Sequence, residues 1–301
     1  MNDVQERLDA GEVVILDGAM GTELQRRGVP MDDVAWDAAA LATHPDLVRE
    51  VHEDYIKAGA EVITTNTFAT ARHVLEPAGM GREFRPLNVR AVTLAKEARE
   101  DVADGPVLIA GSISTMSARA DNTYEPPARE AQDNYREQAE VLADSGVDVI
   151  VLEMMRDLEH TSYAMEAAVA TRLPVWIGFS CRITDESTVV LQDGNHTLAE
   201  ALEQIPPLGA SLVSIMHTLA EKTPAALREV TGRWSGPVGA YPHSGEFIMP
   251  NWQFINTISP EDFTKRAQGW TGMGVQLVGG CCGIGPEHIR LLKERLPKLS
   301  S

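Results

Sequence analysis

Cysteine is scarce. The chain has three in 301 residues, and two of them are adjacent. That excludes a disulfide framework and points to a reducing, cytoplasmic setting. Basic residues are also in short supply: 26 against 44 acidic, for a net charge of −18. Such a balance argues against nucleic acid or an anionic membrane as a partner. No apolar run approaches the roughly 18 residues of a membrane-spanning helix. The N-terminus, Met1-Asn-Asp-Val-Gln-Glu-Arg7, lacks the basic-then-apolar pattern of a secretory leader. No Gly-x-Gly-x-x-Gly opens a helix after the first apolar run, which weakens the case for a doubly wound dinucleotide fold.

What is present is repetition. Eight short apolar runs occur along the chain: Val13–Leu16, Val62–Phe68, Val107–Ile113, Val147–Leu152, Val175–Phe179, Ser211–Ile215, Val238–Ala240 and Val275–Val278. A helix-like segment follows each, over 45–58, 88–101, 128–144, 158–170, 197–204, 224–231, 260–271 and 286–296. Pro45, Pro224, Pro260 and Pro286 open four of them, where a missing N–H costs nothing. Eight strand-helix units in one chain of this length predict an α/β fold, a single (β/α)₈ barrel domain over 1–301. Two loops are long, 115–127 and 244–259. Both follow strands and are candidate substrate lids, the second carrying Phe247, Trp252 and Phe254.

A (β/α)₈ barrel places its chemistry at the C-terminal ends of the strands. Asp17 and Thr22 close the first strand, Asn66 and Thr67 the second, and Glu153 the fourth. His217 closes the sixth, Tyr241 to Glu246 the seventh, and Cys281-Cys282 the eighth. The pair follows Gly279-Gly280, where the backbone can turn sharply. Neighbouring cysteines rarely bond each other, because the ring is strained. Two thiolates and one imidazole on one rim suit Zn²⁺ with a fourth position open. A thiol entering that position would be deprotonated and become a nucleophile suited to alkyl transfer.

Four stretches resemble one family: Leu16-Asp-Gly-Ala-Met-Gly-Thr-Glu23, Thr64-Thr-Asn-Thr-Phe68, Tyr241-Pro-His-Ser-Gly-Glu246 and Gly279-Gly-Cys-Cys-Gly-Ile-Gly-Pro-Glu-His288. They are similar to the homocysteine S-methyltransferases, including the S-methylmethionine- and betaine-dependent enzymes and the homocysteine domain of methionine synthase. The resemblance implies a zinc-containing (β/α)₈ barrel, with Cys281 and Cys282 matching the paired zinc thiolates. It implies that Asp17, Gly18 and the turn through Thr22 meet the amino-acid substrate. Glu153 would hold its amino group, with Asn66, Thr67 and Tyr241 in the same pocket. The partners implied are a small thiol amino acid, by default homocysteine, and a methyl donor.

The chain departs from that pattern at the site itself. His217 falls where the family has its third zinc cysteine, and Met216 where it has asparagine. His243 replaces the asparagine of Tyr-Pro-Asn, and Met154 the threonine after the glutamate. Three explanations compete: His217 keeps the zinc with a less nucleophilic bound thiolate, the substrates differ, or the zinc is lost. The last would leave a metal-free enzyme or a non-catalytic binding protein. Cys181, on the fifth strand, reads as a packed thiol. A chain this long leaves no room for cobalamin or folate domains, so an onium donor is expected: S-methylmethionine, S-adenosylmethionine, betaine or dimethylsulfoniopropionate. Trp36, Tyr241 and Trp252 are candidate cation–π partners for it. A homo-oligomer is compatible with the fold, and no interface is specified.

Overall fold

A computed structural model describes residues 2–116, 126–248 and 253–296. Eight parallel strands form the centre: β1 (Val14–Ile15), β2 (Val62–Thr64), β3 (Leu108–Ser114), β4 (Val149–Met155), β5 (Val175–Ile183), β6 (Leu212–Leu219), β7 (Val238–His243) and β8 (Leu277–Val278). Each pairs with the next from β2 through β8, and β8 pairs with β1 in the register Val14↔Leu277, Ile15↔Val278. A single bridge, Leu16↔Val62, brings β1 to β2 and nearly closes the ring. The flanking bonds Asp17 N to Val62 O (3.0 Å) and Glu61 N to Ile15 O (2.7 Å) reinforce it. The architecture is the (β/α)₈ barrel expected from the spacing.

The strands are buried on both faces, which is why they read as continuous rather than alternating apolar runs. Every residue of β3 and of β4 is buried. The helices follow local rules. Pro45–Ala58 starts on its proline and ends at Gly59 with φ 103°, the left-handed cap that glycine adopts without strain. Leu198–Gln204 begins at Thr197, whose hydroxyl and the Glu200 carboxylate cap each other's backbone N–H groups. His288, from the Gly-Pro-Glu-His stretch, accepts from Gly285 N at 3.1 Å and contacts Ile258 O at 3.0 Å. That residue fastens the last helix, Pro286–Arg295, instead of entering the site.

Three local features differ from expectation. β5 continues to Ile183 and folds back on a short antiparallel strand, Val189–Leu191. The stretch 244–259, expected to be an irregular loop, holds an antiparallel pair, Glu246–Ile248 against Gln253–Ile255. A short helix, Gly21–Arg26, follows the first turn. Most of the 115–127 loop lies outside the described residues, as does Trp252. No described helix is long and apolar enough to cross a membrane.

Candidate active site

The strand ends open into a cavity of about 780 Å³. Asp17, Gly18, Asn66, Glu153, Tyr241, His217, Cys281 and Cys282 line it, all but Gly18 named by the strand-end rule and Gly18 by the family resemblance. Thr22 and Thr67 do not. The Thr22 hydroxyl accepts from Gly283 N at 3.1 Å. The Thr67 hydroxyl donates to Ser112 O at 2.7 Å and meets Thr65 Oγ1 at 2.8 Å. Both threonines are therefore engaged in holding the backbone, and neither is among the residues that line the cavity. Trp36 does line the cavity, its ring edge-on to Phe68 with centroids 5.9 Å apart.

The cysteine turn is suspended between β1 and β7. Gly280 N donates to Asp17 O (3.0 Å), Cys281 N to Pro242 O (2.9 Å), and Ser244 N to Cys282 O (3.0 Å). The turn is tight: a Cβ on Gly280 would lie 2.2 Å from Ile284 Cγ2. His217 arrives from β6 through a break in register after Met216, and its φ of 41° is unusual for a side chain with a Cβ. Such a bulge turns a side chain away from the regular pleat. Cys281 Sγ lies 3.8 Å from Cys282 Sγ and 4.0 Å from His217 Nδ1, and all three ligand atoms are within 4.8 Å of one another.

These spacings fit a shared ion. Two sulfurs held tetrahedrally at about 2.3 Å stand ~3.8 Å apart, and a sulfur and an imidazole nitrogen slightly less. The donor set, two soft thiols and an imidazole, is chemically a zinc set. Contact with Cys282 and with His217 holds the Cys281 thiol well below its usual range, so this sulfur is the readier to ionise. His243 is not in the cluster. Its ring sits behind His217, centroids 4.9 Å apart, and burial lowers it to about 4. Cys181 is away from the metal cluster and buried, and desolvation pushes its thiol well above the usual range, as a packed thiol should be.

Facing the cluster are buried acids. Asp17 accepts from Thr64 N (2.7 Å) and Thr64 Oγ1 (3.1 Å), yet burial still pushes it up to about 7. Glu153 accepts from Ser112 Oγ, and burial raises it to about 8. Asp37, which sequence reasoning missed, is 2% exposed and raised to about 7 by burial. It belongs to a 3₁₀ turn, Asp37–Ala39, with no strand before it, so no strand-end signal marked it. Burial favours the neutral form of each, and carboxyls shifted this far gather at functional sites. Tyr241 is 2% exposed with an unpartnered hydroxyl, set over Gly178, where a Cβ would lie 2.4 Å from it.

Part of the cavity wall is soft and apolar. Met20, Met116, Met154 and Met216 line it. Met154, at φ 53° beside a bulge in β4, donates its backbone N–H toward Met216 Sδ at 3.0 Å. The outer part of the cavity is polar: Arg156, Asp157, His160, Gln192, Asp193 and His196.

Comparison with known proteins places this geometry among relatives. The homocysteine S-methyltransferase family profile matches residues 14–296. The chain is 30% identical to the homocysteine S-methyltransferase of Escherichia coli (strain K12), over 98% of each protein. It is also 30% identical to the selenocysteine methyltransferase of Astragalus bisulcatus, over 93% of this chain and 91% of that protein. Among solved structures it resembles the metallated form of the homocysteine methyltransferase MmuM from Escherichia coli. That match has a TM-score of 0.83 and 28% identity, over 98% of this chain and all of that one.

Proposed function

The chain belongs to the homocysteine S-methyltransferase family and is a methyltransferase; on that premise we propose that it moves a methyl group from an onium donor to the thiol of homocysteine or a related small thiol, with zinc held by His217, Cys281 and Cys282. S-methylmethionine, S-adenosylmethionine and betaine are the donors to try first. The observation that carries the reading is the Cys281–Cys282–His217 triangle opening onto a cavity walled by buried acids.

When bound, zinc would lower the pKa of the incoming thiol and so supply it as a thiolate. Asp17 and Glu153 would receive the acceptor's ammonium, since each is a buried carboxyl that a neighbouring cation would bring back to its charged form. Gly18 and Asn66 border that ammonium subsite, and the Tyr241 hydroxyl is free to meet a polar group of the ligand. The acceptor sulfur attacks the donor methyl carbon. A sulfur–carbon bond forms, and the methyl–onium bond breaks with its electron pair going to the donor heteroatom, which leaves uncharged. An anion and a cation are consumed together, so an apolar methionine-lined wall favours the step.

The test is homocysteine-dependent consumption of the donor by zinc-loaded protein, followed by mass spectrometry across the donor panel. Formation of methionine from one donor would support the reading. No turnover with any donor, zinc being bound, would remove homocysteine and these donors as substrates.

A further inference from the structure

Three carboxylates are buried in the cavity wall, and the reaction above occupies two of them. Asp17 and Glu153 each accept hydrogen bonds from the protein. Asp37 is different. It is 2% exposed, its Oδ1 has no hydrogen-bond partner, and its carboxylate accepts locally, from its own backbone N–H. Its backbone carbonyl accepts from Asn66 Nδ2 at 3.3 Å, which fixes the turn without satisfying the side chain. Trp36 stands immediately before it, also on the cavity wall, at a φ of 46° that holds the turn in an uncommon shape.

A buried carboxylate with one oxygen left unpartnered is costly to ionise unless a cation arrives. The kind of cation follows from the surroundings. A primary ammonium needs directed acceptors, which Asp17 and Glu153 offer on neighbouring strand ends. A sulfonium or quaternary ammonium has no N–H to donate. It is held by unshared negative charge and by aromatic faces, without hydrogen bonds. Asp37, next in the chain to Trp36, whose ring meets that of Phe68 on the same cavity wall, supplies that combination.

We propose that Asp37 is a specificity-determining residue for the methyl donor: its carboxylate stands against the onium centre and selects cationic donors over neutral ones of the same shape. This rests on the reaction proposed above, and it assigns the donor pole of the cavity to the wall formed by Trp36 and Asp37. The acceptor pole remains with Asp17 and Glu153.

The experiment is calorimetric binding to the zinc-loaded protein, without turnover. The probes are S-methylmethionine and homoleucine, in which a CH replaces the S⁺ and the rest of the shape is kept. Wild type should bind S-methylmethionine about ten-fold or more tightly over homoleucine. In Asp37→Asn that preference should shrink toward unity, with homoleucine affinity unchanged, which also reports an intact pocket. Asp37→Ser should behave alike if Asn does not fold. A wild type with no preference overturns the proposal whatever the variants do, and so does a preference that survives in a folded variant. If the preference is present and lost as described but no methyl reaches homocysteine, the reaction fails and the assignment of Asp37 stands. If methyl transfer occurs and the preference does not depend on Asp37, the reverse holds.

Discussion

The hydroxyl of Thr22 accepts a hydrogen bond from the backbone N–H of Gly283, 3.1 Å away in the segment that follows β8. Gly283 has φ 81° and ends the turn that presents Cys281 and Cys282. Thr22 thus braces the thiols from behind. Thr22→Val keeps the shape and removes the acceptor. It should cost about 1 kcal/mol of stability. Partners of this kind fix the orientation of metal ligands, so zinc affinity should fall by about ten-fold. Thr22→Ser should restore both. Competition with a chromophoric chelator reads the affinity, and an unchanged value in the valine variant would mean that the turn holds itself.

His217 can be tested against the residue type it stands in for. His217→Ala removes one of three donors, and zinc retained after dialysis should fall from about one per chain to near none. His217→Cys offers a thiolate from the same bulged position. It should keep the metal and bind it more tightly at neutral pH, since a third thiolate adds negative charge to the site. Metal content by mass spectrometry is the measurement. Equal retention in the alanine variant would take His217 out of the set.

The buried acids make the ligand-free protein sensitive to pH in a defined direction. Glu153 is raised to about 8 by burial, against about 4.5 in an unfolded chain. Between those values the folded state holds a proton that the unfolded state releases, so stability falls as pH rises through this window. Glu153→Gln removes this residue's share of the dependence and leaves that of Asp17 and Asp37. It should match wild type at pH 4 and be more stable above pH 8, by a few kcal/mol as an upper bound. Thermal midpoints from pH 4 to 9 without ligand decide it. A gain that is the same at every pH would assign the effect to packing.

The barrel was legible because parallel strands buried on both faces leave continuous apolar runs, and because proline marks the first turn of four helices. The metal cluster was legible because strand ends converge on one rim. What the strand-end rule lacks is direction. It counted Thr22 and Thr67 into the pocket, whereas both hydroxyls turn to backbone groups behind it. It also could not reach Asp37, which lies on a turn between strands and enters the cavity only through the unusual backbone at Trp36. The antiparallel pair at Glu246–Ile248 and Gln253–Ile255 was read as loop because each strand is three residues long, too short for a period to show.

Gly18 joins stability to the site in one position. A Cβ there would lie 2.3 Å from the carbonyl oxygen of Ile284 and 2.9 Å from the hydroxyl of Tyr55. That carbonyl accepts from Ala19 N at 3.0 Å and from Tyr55 OH at 3.1 Å, and the same hydroxyl reaches Ala19 O at 2.7 Å. The cluster fastens the turn after Asp17 to the segment after the cysteines, and backbone cannot swing aside as a flexible side chain can. Gly18→Ala should therefore destabilise by about 2–3 kcal/mol. It should also raise the KM for the thiol acceptor, because Asp17 is the next residue. Gly105→Ala, where nothing lies within 4 Å of the added carbon, is the control and should change neither. Denaturant titration and acceptor KM on both variants separate the outcomes. A Gly18→Ala protein as stable as the control would mean that the Ile284 segment yields, and that the two turns are not rigidly joined.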